Sequence, residues 1–298
     1  MTYPAPDQHS SLLSEAITAL FVPGDRLDRI RKALASTAQM VIVDLEDAVS
    51  TGHKDQARSL AAETLSHYLD QDEHVKQSAL ALRINGTESR WIEPDLAMFS
   101  DLVSEQAHPS VGLMLPKTHS REQLNTVVEK SSETVEIIGL IETARGLAEL
   151  TEIASHPRIR RLAIGAIDLS VELGCQVGST TIEYARAQLV VASALAGLPA
   201  PLDTPCVDFR NPDVVNSHAR RSVEDGYGGT LCIHPAQLEP TRTAFAPDEE
   251  KITWANEVLK AAETSDGHGA VSVQGTMIDA PVIAQAHRIL TRAGSNMT

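Results

Sequence analysis

Short, uninterrupted apolar runs recur along the chain, and most are followed by a longer segment whose apolar residues fall at helical spacing. The runs are TALFVPG (residues 18–24), MVIVDLED (40–47), SALALRIN (78–85), VGLMLPK (111–117), IIGLI and LAIGAI within 136–174, a weak PLDTPC (201–206) and TLCIHP (230–235). A continuous rather than alternating run marks a strand buried on both faces, as in a parallel sheet. Helical spacing appears in 25–34 and 54–69, and a further helix lies somewhere in 91–106. Ser120 with Gln123, and Thr180 with Glu183, form capping boxes, and the second helix stops at Gly197. Asn211 before Pro212 starts another, which ends near Gly226. Eight strands alternating with helices predict a TIM (β/α)8 barrel with a C-terminal helical extension. The boundaries read as an irregular segment 1–17, a barrel 18–246 and an extension 247–298. That extension holds an amphipathic helix over 248–262, a glycine-rich break, an extended piece with Asp279 and a last helix, and it is too short for its own core.

Composition narrows the class. The chain of 298 residues is 42% hydrophobic but only 3% aromatic, so its core must be aliphatic, which suits close layering on a parallel sheet. A formal charge of -15 argues against nucleic acid or an anionic membrane as the main partner. Cys175, Cys206 and Cys232 are widely spaced without a CxxC pair, so they read as small core residues in a reducing compartment. With no signal-like amino terminus and no stretch of about 18 apolar residues, the expected location is the cytoplasm.

Polar residues collect where such a barrel puts its chemistry. Glu46, Asp47, Arg83, Glu142 and Asp168 all fall at the predicted carboxyl ends of strands. Glu142 and Asp168 end consecutive strands and can together hold a hard divalent cation, which makes this an expected magnesium site. The plain structural reading of Arg83 is an ion pair with Glu46 or Asp47; the company it keeps favours a functional one. Lys117 and His234 also sit at strand ends, His234 reading as a packing or hydrogen-bonding residue. Arg26, Arg29, Arg31 and Lys32 begin at the same rim, where a helix start with basic side chains suits phosphates.

Eight segments in order, PGDRLDRIRKAL, VIVDLEDAV, LRINGTESRW, GLMLPKT, GLIETARGL, LAIGAIDLSVELG, CIHPAQL and GTMIDAPV, resemble the citrate lyase β subunit family of the aldolase/citrate lyase superfamily, which includes malyl-CoA and citramalyl-CoA lyases. The likeness runs from about Thr18 to about Leu290. It implies a TIM barrel with a C-terminal extension, Mg2+ (or Mn2+) dependence, cleavage of 3-hydroxyacyl-CoA thioesters and a homotrimer or dimer of trimers. It implies Glu142 and Asp168 as metal ligands, Arg83 near the reacting oxygen, and Arg26 and Lys32 at the CoA phosphates. It further implies Asp279 as the catalytic acid or base, contributed to an adjacent subunit. Glu46 and Asp47 are then expected to orient Arg83 and the metal's surroundings. The chain departs from the family's pattern at Ile17 and Thr18, where the family commonly has Arg-Ser, and at Thr230, where it has a basic residue. Two other readings are a CoA-independent 2-oxo-acid aldolase on the same barrel and a non-catalytic subunit. Arg26, Lys32 and the GTMID tail favour the thioester enzyme over the first; the gathered charges favour it over the second.

Overall fold

Parallel strands buried on both faces have no free edge only when the sheet closes, and here it does. In the computed structural model, which describes residues 12–70, 78–103, 110–264, 272–273 and 276–295, eight strands pair in chain order and the last pairs back onto the first. They are β1 (Thr18–Pro23), β2 (Met40–Asp44), β3 (Ala79–Arg83), β4 (Val111–Leu115), β5 (Ile137–Ile141), β6 (Ile159–Ile164), β7 (Leu202–Asp203) and β8 (Gly229–Cys232). The helices are α1 (Leu12–Glu15), α2 (Leu27–Leu34), α3 (Lys54–Leu69), α4 (Ile92–Leu102), α5 (Arg121–Ser131), α6 (Ala144–Ala148), α7 (Leu150–Ala154), α8 (Ala166–Glu172), α9 (Thr180–Leu195), α10 (Pro212–Glu224), α11 (Leu238–Phe245), α12 (Glu249–Thr264) and α13 (Ala280–Ser295). Among the described residues no helix is long and apolar enough to cross a membrane.

Because side chains alternate along a strand, each run feeds two cores. Val41, Val43, Leu80, Leu82, Ile137 and Ile141 pack outward with the helices. Met40, Ile42, Ala79, Ala81, Ile138, Leu140, Ala163, Leu202 and Leu231 fill the barrel interior, where Leu13 of α1 joins them. Continuing the inward set by two residues reaches Asp44, Arg83, Glu142, Gly165, Thr204 and Ile233, a layer at the carboxyl end of the barrel.

Local chemistry explains where elements start and stop. Ser120 accepts from the Gln123 N–H at 3.1 Å, and Asn211 accepts from the Asp213 N–H at 3.1 Å ahead of Pro212. Gly197 and Gly226, at φ +70° and +94°, take the left-handed positions past α9 and α10 that favour glycine. At α9 the expectation fails by one residue: Ser179 is the N-cap without a side-chain cap bond, and Thr180 is already helical. The sixth strand ends at Ile164, so Asp168 lies in the first turn of α8 rather than at a strand tip. The eighth ends at Cys232, and His234 caps the short turn Pro235–Gln237 while stacking on Phe209 at 4.6 Å.

The weak seventh strand is only two residues long, and buried charges hold it in place. Asp203, 0% exposed, accepts from Ser222 Oγ at 2.6 Å, pairs with Arg186 at 2.8 Å and accepts from the Thr204 N–H at 2.8 Å. Arg186 also pairs with Asp225 at 2.9 Å.

The chain divides into two units, Met1–Thr241 and Arg242–Thr298. In the second, α12 and α13 pack together around buried Ala255, Val258 and Ala286, so the extension has a small core of its own, contrary to expectation. Residues 272–273 and 276–277 pair antiparallel, and Asp279 caps α13. Residues 1–11 and most of the glycine-rich break fall outside the described residues.

Removing one partner of a buried ion pair leaves the other charge uncompensated. Asp203→Ala is therefore expected to destabilise the barrel by about 3 kcal/mol in urea unfolding, whereas a loss within about 0.5 kcal/mol would mean that Asp225 alone satisfies Arg186.

Candidate active site

The inward-facing polar layer converges on one guanidinium. Arg83, at the end of β3, donates from Nε to Asp44 Oδ1 at 2.8 Å and from Nη2 to Asp44 Oδ2 at 2.5 Å, a bidentate fork. Its Nη1 lies 3.2 Å from Glu46 Oε2, and its plane stacks over the Phe21 ring at 4.8 Å. Asp44 accepts in addition from the backbone N–H groups of Glu46 (2.8 Å) and Ala48 (3.1 Å), which folds the loop after β2 around it. Glu46 receives Lys117 Nζ at 2.5 Å. Lys117 sits at φ +49°, and that strained turn aims its backbone N–H at Glu142 Oε1, 2.8 Å away. From the outer side Lys54 Nζ donates to the carbonyls of Leu45 and Glu46 and to Asn85 Oδ1 at 2.7–2.8 Å, pinning the same loop.

These charges shift one another. Burial would lower the affinity of Arg83 for its proton, but the Asp44 bond and the negative charges of Asp44, Glu46 and Glu142 outweigh it and hold the guanidinium charged. Burial pushes the Glu46 carboxyl up against the opposing pull of Arg83 and Lys117. Glu142 is 3% exposed, and burial, followed by the charges of Glu46 and Asp168, pushes it up to about 8 despite the Lys117 N–H and Arg83.

A carboxylate so placed would be stabilised by a further positive charge. Among the described residues no group of three or more His, Cys, Asp or Glu forms a ligand cage. A cage is not what magnesium requires, since that ion commonly takes one or two carboxylates and keeps water on its other positions. Glu142 and Asp168 line the same cavity of about 340 Å³ and interact electrostatically, and positive charge between them would relieve the like-charge strain. Room for the carboxylate comes from Gly165: a Cβ there would lie 2.6 Å from Glu142 Oε2 and 2.7 Å from Glu142 Cβ. The residues present fit a hard divalent cation.

Arg83, Asp47, Glu142 and Asp168 line this cavity together. Glu46 instead lines a larger neighbouring cleft of about 660 Å³, which Asp47 borders as well. Glu46 does pair with Arg83; Asp47 is exposed, and the direct partner of Arg83 is Asp44, which sequence reading passed over. Its signal was the strand parity, since 40, 42 and 44 face inward together. Lys32 lines a third cavity beside β1 and β8, and Arg29 lines that cavity and the Glu142 cavity alike. Arg26, by contrast, is exposed, pairs with Asp28 at 3.5 Å and borders neither. Asp279 is an exposed residue of the second unit, accepting from the Val282 N–H at 3.1 Å. Cys175, Cys206 and Cys232 are free thiols, two of them buried.

A closed parallel barrel with charged side chains gathered at the carboxyl ends of its strands has the layout of a barrel enzyme's active site. The chain matches the HpcH/HpaI aldolase/citrate lyase family over residues 18–235, and it belongs to that family. It is 31% identical over 283 residues to a citrate lyase subunit beta-like protein of Deinococcus radiodurans, covering 92% of this chain and 96% of that one. It is also 31% identical over 298 residues to the mitochondrial citramalyl-CoA lyase of Rattus norvegicus, covering 93% and 85% respectively. The crystal structure of CitE from Mycobacterium tuberculosis in complex with magnesium, acetoacetate and coenzyme A superposes with a TM-score of 0.79 at 30% identity, covering 96% of this chain and 99% of that one.

A carboxyl whose folded-state value lies above its unfolded one adds stability at low pH and loses it as pH rises through the folded value. For Glu142 that window runs from the ordinary 4.5 up to about 8. Metal-free Glu142→Gln is therefore expected to melt about 5 °C above the parent near pH 8.5, with the gap closing toward pH 5, because the parent carboxyl is then protonated. A pH-independent gap in thermal melts would remove the buried-charge account.

Proposed function

We propose that this chain is a Mg2+-dependent carbon-carbon lyase. It cleaves, or in reverse forms, a 3-hydroxyacyl-CoA thioester such as citramalyl-CoA, malyl-CoA or citryl-CoA, giving acetyl-CoA or a related acyl-CoA and a 2-oxo acid. The observation that carries this reading is the single cavity in which Arg83, fixed by Asp44, lies with Glu142 and Asp168. Support comes from relatives that include a citramalyl-CoA lyase and a structure holding magnesium, acetoacetate and coenzyme A.

In the cleavage direction the C2–C3 bond breaks, its electron pair stays on the thioester fragment as an enolate, and the C3 hydroxyl passes its proton to water as it becomes the carbonyl of the oxo acid. Mg2+, held by Glu142 and Asp168, would supply Lewis-acid polarisation of the acid's oxygens. Arg83 presents a charge that cannot wander, because both its edges are tied to Asp44 and Glu46, and fixed charge near a developing oxyanion is worth about 3 kcal/mol. Asp44 and Glu46 orient Arg83; Asp47 borders the same cavity as a further substrate contact. Asp279 delivers the proton to the enolate carbon, and takes it from acetyl-CoA in reverse, its carboxylate held at the start of α13 by the Val282 N–H. Lys32 and Arg26, with Arg29 beside them, are the cations for the CoA phosphates. The active unit is a homotrimer or dimer of trimers in which the 242–298 unit completes a neighbour's site. Its free thiols suit a reducing compartment, and we assign it to the cytoplasm.

Two experiments test this. A cleavage screen of the three acyl-CoAs with product identification should yield acyl-CoA and a 2-oxo acid only with Mg2+ or Mn2+, and Asp168→Ala should lower turnover roughly 100-fold or more while the fold survives. Full activity in excess chelator would end the metal assignment. In the second, inactive Asp279→Ala and Glu142→Ala proteins are mixed under conditions that exchange subunits. Activity should return in the mixed oligomers, since some sites then join an intact Glu142 to an intact Asp279 from another chain; oligomers that form yet stay inactive would place Asp279 in its own chain's site or outside catalysis.

A further inference from the structure

An outer helix face without charge stands out in a chain whose formal charge is -15, and α9 presents one. Along it run Tyr184, Ala187, Gln188, Val191, Ala194 and Leu195. Tyr184 is 64% exposed, Val191 66% and Leu195 73%. The two charged residues of the helix are engaged elsewhere: Arg186 is buried against Asp203 and Asp225, and Glu183 pairs with Arg186 and Arg221. The longest polar side chains of the face serve each other, Gln188 Nε2 donating to Tyr184 Oη at 2.9 Å. Other barrel helices show the usual alternative, with Asp55 and Glu63 exposed on α3, Glu122 and Lys130 on α5, and Asp213 and Arg220 on α10.

The spacing on α9 is that of a helix–helix seam. Positions 184, 187, 191 and 194 recur by three and four, with 188 and 195 alongside, as core positions do where two helices pack lengthwise. Charge selects the occupant. Against a charged surface this face would strip water from ions and return no counter-charge, which is costly. An uncharged, like-spaced surface is its complement, and a second copy of α9 supplies it. Turned antiparallel about a two-fold axis between Leu189 and Val190, the two helices set Tyr184 against Leu195, and Val191 against Ala187 and Gln188, so that large side chains meet small ones across the seam.

We propose that the outer face of α9 is a self-complementary docking surface for α9 of a second copy of this chain. Together with the trimer proposed for the 242–298 unit, this two-fold contact joins two trimers and selects the dimer of trimers over the trimer alone. The count of chains rests on that assembly reading; the contact does not, since without trimers it makes a simple dimer. Three seams closing at once hold more firmly than one, because the second and third form within an already joined pair.

The test compares full-length parent, Val191→Glu and Val191→Leu proteins by light-scattering mass, with circular dichroism and thermal melts to follow the fold. Val191→Glu puts acids into the seam from both copies and should halve the mass of the parent assembly while the chain still melts cooperatively, since residue 191 is exposed within one chain. Val191→Leu should keep the parent mass. A cross-link reads the symmetry directly and decides the matter should the Glu protein fail to fold. Val191→Cys combined with Cys175→Ser, which removes the partly exposed native thiol, should give covalent dimers with a short bis-maleimide, because a two-fold axis brings residue 191 close to its own copy; Cys175→Ser alone should give none. A parent assembly with an odd number of chains, an unchanged mass in a folded Val191→Glu protein, or no covalent dimer would overturn the proposal, as it would if α9 met a different protein or another surface of this one. Acyl-CoA cleavage by the parent tests the lyase reading separately, and its absence would leave the α9 contact standing on the mass and the cross-link.

Discussion

The polar rim at the carboxyl end of the barrel hangs on the Asp44–Arg83 ion pair. Asp44 spends its two oxygens on four donors, two from Arg83 and two from the backbone of the following loop, so it fixes both a side chain and a turn. From there the contacts return to the loop after β2 and then pass on round the barrel. Arg83 meets Glu46, Glu46 meets the Lys117 ammonium, the Lys117 N–H meets Glu142, and Glu142 lies over Gly165. Asp44, Arg83, Glu46 and Glu142 are stable only as a set, because each loses water on burial and regains little unless its partner is correctly placed. The site is thus preorganised by its own electrostatics: β2 and its loop supply Asp44 and Glu46, β3 the Arg83 guanidinium, the turn after β4 Lys117, and the end of β5 Glu142.

The barrel was legible in the sequence because doubly buried strands leave uninterrupted apolar runs, and eight of these stand out with helical periods between them. The same feature hid the side-chain directions. When both faces of a strand are apolar, no alternation reveals which residues point inward. Glu46 and Asp47, nearest the end of the run, therefore drew attention, while Asp44, inside it, looked like strand. The parity could have been recovered only by fixing one inward residue, as Arg83 does for 79 and 81. Arg29 was hidden for another reason: four basic residues crowd the start of α2, and helical phase, not proximity to the strand, decides which one faces the cavity.

Buried charge of a different kind holds the far side. The seventh strand is too short to fix its own register by backbone pairing, and Asp203, Arg186 and Ser222 do so instead. This is why the segment read as a weak strand: its stability is drawn from side chains on α9 and α10 that lie distant in sequence. Local patterns report local forces, and here the decisive ones are long-range.

Gly165 carries a consequence for how sequences of this kind should be sorted. The near contact of an added Cβ is with Glu142 Cβ as well as with its carboxylate oxygen, so turning the acid's end away would not make room. Alanine at this position beside an intact Glu142 and Asp168 would pass any inspection that looks for charged residues alone, yet the acid would have nowhere to rest. An uncharged, unreactive atom count at one backbone position is accordingly a stricter criterion of a working site than the presence of its acids.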